Sequence, residues 1–309
     1  MKALVPRIRI QAQDGVCLLR DGLSLCFYIR HPHREIAQAV VHALDVYIKA
    51  VGPGTLSRFF GADGYSQPLD EFEWSRIRRE VLEDPWASFG LFDKSGSEDL
   101  YHAEYFGKPV GNPSLLGDPF GTGERHASCA LEFWLPTEYL EAHGPERLRE
   151  LALELASPLP FGFGQVGFSF NGWLDIMGVS RMIRERCFRY PGMDIPELSW
   201  LSWKLGDRVR GPSWMTFLGQ PVLGELGGAE GLRSRLSSPG TTVHALEGER
   251  AVVTLGPAPD AGDTEQGNVL PAYRELARVL EPWLYRGPDD NSLDFTAEDM
   301  RRWERRFLD

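Results

Sequence analysis

Seven histidines, four cysteines and forty-four carboxylates are the groups of this 309-residue chain that could perform acid–base, nucleophilic or metal chemistry. Their spacing decides what they can do. His31-Pro32-His33 could present two imidazoles to a metal, but it reads as a turn after a strand and has no carboxylate pair beside it. Gly167-Phe168-Ser169-Phe170-Asn171 has the outline of a nucleophile elbow with Asn in place of the second glycine, so it reads as a strand. Gly162 and Gly164, like Gly117, Gly121 and Gly123, are not followed by the Lys-Ser/Thr of a phosphate loop. The carboxylates of Pro257 to Asp263 lack a following Glu-x-Lys and read as a solvated loop. Histidines 31, 33, 42, 102, 126, 143 and 244 are scattered, so a hydrolase would have to assemble a composite site by folding. Cys17, Cys26, Cys129 and Cys187 form no CxxC pair. The expectation is a protein with no catalytic residue, no cofactor and no metal.

Charge is more informative than any motif. Forty-four acids against 33 bases give a net charge of −11, which repels nucleic acid and favours basic partners. Residues 63–104 carry eleven acids and four bases, and residues 256–300 carry ten acids and three bases. Between them, residues 181–210 hold seven bases and four acids. Two solvated faces would explain such segments. A surface that imitates a phosphate backbone and caps a basic site is the functional alternative, with fast and salt-sensitive association.

Those residues must be positioned by ordinary globular elements, because 42% of the side chains are apolar and 25% charged. Asp21-Gly22 is a two-residue hairpin signal that would place Arg20 opposite Leu23 and Cys17 opposite Cys26 as a cross-strand pair of buried thiols. Ile36, Val40, Leu44, Tyr47, Ile48 and Val51 then follow helical steps up to Gly52-Pro53-Gly54. The stretch to Asp70 is polar and turn-rich, and a short helix is expected near Trp74 to Leu82. Runs 86–92 and 100–106 read as a hairpin, residues 107–125 as loop, and 127–135 as a strand. Gly144-Pro145 is expected to open a helix, residues 161–170 a central strand, and 173–187 another helix. A short helix at 221–228, a hairpin of 241–246 with 251–255, and an amphipathic helix carrying Tyr273, Leu276, Ala277 and Leu280 follow. Thr296 with Asp299 forms a capping-box variant for a last helix whose Met300, Trp303 and Phe307 dock on the body.

This alternation predicts an α+β fold, a mixed and mostly antiparallel sheet built from hairpins with packed helices. The chain reads as a single domain, 1–309, or as two intimately packed lobes of about 1–126 and 127–309. No run approaches the roughly 20 apolar residues of a membrane span, and charge near the first residues opposes a secretory signal, so a cytoplasmic location is expected.

Leu131-Glu132-Phe133-Trp134-Leu135-Pro136-Thr137-Glu138-Tyr139-Leu140, continuing through Gly144-Pro145 to Leu159-Pro160-Phe161, resembles the bacterial type VI immunity family, immunity proteins for VRR-NUC-type nuclease toxins. Arg189-Tyr190-Pro191-Gly192, Trp214-Met215-Thr216-Phe217-Leu218-Gly219, Leu226-Gly227-Gly228 and Pro271-Ala272-Tyr273-Arg274 extend the resemblance in order over most of the chain. It implies a non-enzymatic protein whose partner is a cognate toxin, commonly one that cleaves DNA. The shared residues are mostly glycine, proline and aromatic, which physically suit turns and core. They do not mark a contact face. Charge reasoning places that face on Asp70, Glu71, Glu73, Asp260, Asp263, Glu265, Asp289 and Asp290. The rival readings are the dispersed hydrolase and an adaptor or chaperone that loads an effector.

Overall fold

A computed structural model describes residues 5–61, 64–93, 100–111, 126–174, 176–287 and 294–309. The fold is α+β with mainly antiparallel pairing, and the chain divides into two compact units. One unit comprises Leu25–Gly164 and Glu197–Asp207; the other comprises Met1–Ser24, Gln165–Pro196 and Arg208–Asp309. We call these the α2 unit, after helix α2 (Glu71–Glu83), and the α9 unit, after helix α9 (Ala297–Glu304).

In the α2 unit the strand order runs from β2 (Cys17–Ile29) through β7 (Cys129–Pro136), β6 (His102–Phe106), β5 (Ser88–Asp93) and β3 (Leu56–Phe60) to β4 (Ser66–Pro68). Pairing is antiparallel from β7 to β4, with Phe89 opposite Tyr105 and Tyr105 opposite Leu131. That register collects Phe89, Leu91, Ala103, Tyr105, Leu131 and Phe133 on one face, because alternate strand residues point the same way. Helix α1 (His33–Val51) covers it, and its Tyr47 ring stacks on Phe133 at 4.6 Å. The helix buries Ile36, Val40, Leu44 and Tyr47 at the expected spacing and ends at Gly52, whose φ of 99° lies in the left-handed region that favours glycine. Helix α2 (Glu71–Glu83) packs on α1, as does α3 (Thr137–Ala156), while the short α5 (Leu198–Lys204) packs on β7. The expected start of α3 at Gly144 is corrected: helix begins at Thr137, and Gly144, with φ 77°, interrupts it before Pro145.

The α9 unit contains the first half of β2 with β1 (Arg9–Gln11), most of β8 (Phe163–Gly172), β9 (Met215–Leu218), β10 (Thr241–Leu246) and β11 (Arg250–Leu255). Their order is β10-β11-β9-β8-β2, with β1 on β2. The expected hairpin at Asp21-Gly22 does not form. Strand β2 runs straight through both residues, and the turn lies earlier, where Ala12 N–H donates to Val16 O. Asp21 is fully buried because its carboxylate accepts from the Ile8 amide at 2.8 Å and pairs with Arg9. Gly22 is there for close approach, since a Cβ would lie 2.2 Å from Asn171. Cys17 and Cys26 therefore share one strand, and the cross-strand pair is excluded; all four cysteines are buried.

Helix α4 (Val179–Cys187) is shorter than the expected 173–187, because Gly178 with φ 89° sets its start. Two short helices, α6 (Val222–Glu225) and α7 (Gly228–Ser234), meet at Gly227 with φ 84°. Helix α8 (Pro271–Leu280) buries Tyr273, Leu276, Ala277 and Leu280 as expected. Helix α9 (Ala297–Glu304) begins with the full Thr296–Asp299 capping box, and Phe307 beyond it docks on Tyr273 with ring centres 5.5 Å apart.

Candidate functional site

Helix α2 is organised by charge. Asp70 accepts a hydrogen bond from the Glu73 amide and caps the helix. One flank turns inward, burying Ile77 and Val81 and setting the Arg76 guanidinium 5.5 Å above the Phe59 ring. Arg76 donates to Glu73 at 2.7 Å and to Glu80 at 2.6 Å, and the Glu73 bond is the chief reason its pKa is raised. Arg78 pairs with Asp45 of α1 and lies 5.8 Å from the Trp74 ring.

What remains faces water. At 100° per residue, Glu71, Phe72, Ser75, Arg79, Leu82 and Glu83 share one face, and all six are exposed. Phe72 is 71% exposed and Leu82 43%, while Tyr65, just before β4 in the strand–turn that feeds this helix, is 72% exposed. Single exposed apolar residues are ordinary. Aromatic side chains set among carboxylates are what protein contacts use, an apolar anchor within a polar rim.

The second acidic segment is built differently. Asp260 accepts from the Gly262 amide at 2.9 Å and from the Asn268 amide group at 3.1 and 3.2 Å. Asp263 is buried, accepts from Arg189 at 3.1 and 2.9 Å and from Gln266 at 2.9 Å, and Arg189 holds its pKa below the usual carboxylate range. Glu265 is exposed and meets the same guanidinium at 2.6 Å. Gly192 lets the loop approach, since a Cβ there would lie 2.2 Å from the Asp260 carbonyl. Arg189 and Gly192 thus moor this loop.

Asp70, Glu71 and Glu73 are gathered in the first turn of α2, and Asp260, Asp263 and Glu265 in one loop of the α9 unit. Asp289 and Asp290 lie outside the described residues. Phe72, Leu82 and Tyr65 are the surface features that sequence reasoning passed over. Their signal was phase: Phe72 and Leu82 fall off the Ile77–Val81 stripe.

His31, His42, His126, His143 and His244 are exposed, whereas His33, His102 and Lys108 are packed against other side chains. His33 contacts the Tyr105 hydroxyl through Nδ1 at 2.6 Å and the Val81 carbonyl through Nε2 at 2.7 Å. Lys108 is buried, donates from Nζ to Ser128 O at 3.0 Å and Ser202 Oγ at 2.7 Å, and lies 4.7 Å from the Trp203 ring; burial pushes its pKa down to about 8. His102 lies against Trp134, ring centres 4.6 Å apart, and burial lowers its pKa to about 4. Among the described residues, no group of three or more His, Cys, Asp or Glu is arranged to hold a metal ion.

The site thus combines an α+β scaffold with exposed apolar side chains set among carboxylates on helix α2. Among solved structures it is similar to the Pseudomonas aeruginosa T6SS protein PA0821, with a TM-score of 0.75 and 20% identity over 97% of this chain and 87% of that one. That likeness concerns the fold. No curated protein matches the sequence. Residues 39–307 match the family described as type VI immunity for VRR-NUC, and the chain belongs to that family.

The residues behind the resemblance are structural. Trp214 is fully buried, Met215–Leu218 is strand β9, and Gly227 and Gly228 both take positive φ. No described helix is long and apolar enough to cross a membrane.

Proposed function

We propose that this protein neutralises a cognate type VI toxin by stoichiometric binding that covers the toxin's active site, and that the toxin is a nuclease. Family membership over residues 39–307 is the observation that carries the reading. Electrostatics supports the choice of toxin: a nuclease must present a basic cleft to phosphates, and a chain of net charge −11 can mimic what the cleft binds. Cytoplasmic binding would protect the DNA of the cell. Nothing in this reading turns over, so no residue is assigned a catalytic role.

The contact is assigned to the acidic segments at Asp70, Glu71 and Glu73 and at Asp260, Asp263, Glu265, Asp289 and Asp290. Asp260 and Asp263 serve by shaping their loop, since their carboxylates are occupied internally. Glu71 and Glu265 are exposed and can meet a partner directly.

The test is growth. Cells expressing the effector from the adjacent reading frame should die alone and survive when this chain is co-expressed, with the two proteins copurifying at a fixed ratio. Death in both cases would refute the reading. Survival without complex formation would favour a hydrolase, and loss of effector export on deletion would favour an adaptor.

A further inference from the structure

The phase of α2 is the feature that core packing leaves unexplained. Ile77 and Val81 bury its inner flank, and nothing in the fold requires apolar residues on the outer one. Phe72 and Leu82 nevertheless stand there, about 15 Å apart along the axis at the usual helical rise, among Glu71, Glu83 and Arg79. Of the helix's three arginines, Arg76 and Arg78 are neutralised by Glu73, Glu80 and Asp45. The carboxylates of Glu71 and Glu83, with Asp70 at the cap, therefore dominate the outward field.

We propose that this outer face of α2, with Tyr65 beside it in sequence, seats on the cognate toxin. Phe72 and Leu82 enter an apolar depression, and the surrounding carboxylates meet cationic side chains. The proposal rests on the immunity reading and adds to it the residues that hold the complex together. Apolar anchors set residence time, and charge sets the rate of encounter. Charge complementarity fixes the occupant. A second copy of this chain would oppose its own Glu71 and Glu83 with like charge, whereas a phosphate-binding protein offers the opposite sign. The other prominent apolar tip, Met177 at 98% exposure, adjoins α4 with Arg181, Arg184 and Arg186 and lacks that complementarity.

The experiment measures binding to the effector protein encoded beside the gene, purified with its active site inactivated. Phe72→Ala should weaken Kd by about tenfold, mostly through faster dissociation, and the Phe72→Ala/Leu82→Ala pair by about a hundredfold. Glu71→Lys with Glu83→Lys should slow association and flatten its salt dependence. Met177→Ala should bind within about twofold of wild type. All these positions are exposed, so circular dichroism and melting should match wild type. If wild type binds and the double alanine variant binds equally well, the α2 face is wrong and the immunity reading stands. Wild type that neither binds nor protects refutes both. A change in oligomeric mass in the double variant would make this a self-contact and overturn the assignment.

Discussion

Burial weakens the hold of His102 and Lys108 on a proton. Burial lowers the His102 pKa to about 4, against about 6.5 for an open chain, and its Nε2 has no hydrogen-bond partner. Between those values the unfolded chain binds the extra proton, so stability is lost as pH falls from 6.5 towards 4. His102→Phe should make urea midpoints less sensitive to pH across that window. Part of the dependence should remain, because burial shifts His33 in the same direction. A variant as acid-labile as wild type would show that His102 titrates normally. For Lys108, with a pKa of about 8, the unfolded chain holds the proton up to about 10.5. Stability should therefore rise with pH between those values. Relative to Lys108→Met, wild type should gain on the order of 3 kcal/mol across the window, read as the difference between paired denaturation curves.

Elements show where local signals governed and where distant contacts prevailed. Gly192→Ala would force a Cβ against the Asp260 carbonyl. That should lower stability by about 2 kcal/mol and expose the 260–268 loop to protease, an effect readable by melting and limited proteolysis. Thr296→Ala should remove the side-chain half of the α9 capping box, leaving the Asp299 carboxylate on the amide of residue 296, and cost about 1 kcal/mol. The capping box was legible because its chemistry lies within four residues. So were α1 and α8, whose apolar stripes run long enough to fix their period. The Asp21-Gly22 turn was misread for the converse reason. Asp-Gly favours a tight turn locally, but the buried Asp21 is held by Ile8 and Arg9, and Gly22 is claimed by Asn171. Strands β3 and β4 were hidden because Ser57, Arg58, Ser66 and Gln67 make them polar and short. The acids of α2 were legible as charge, while the exposure of Phe72 could be seen only once Ile77 and Val81 defined the inner face.

At the scale of the whole molecule, a net charge of −11 is an argument about association rates, and its two acidic segments make different predictions. Reversing Asp70 would remove the α2 cap, and reversing Asp263 would leave Arg189 facing a like charge, so either would confuse unfolding with lost recognition. Glu71→Lys and Glu265→Gln avoid this, since both side chains are exposed, neither caps a helix, and glutamine sets no cation against Arg189. Screening shortens the reach of charge from about 10 Å at 0.1 M salt to about 3 Å at 1 M. If the protein is steered to its toxin by charge, wild-type association should slow steeply over that range while dissociation changes little. Each single substitution should reproduce part of that slowing at low salt, and the fraction lost measures how much steering each segment supplies. The double variant should approach the high-salt rate of wild type. Stopped-flow association with the effector at several ionic strengths would show this, and a wild-type rate that stays flat with salt would remove steering from the account of how the two proteins meet.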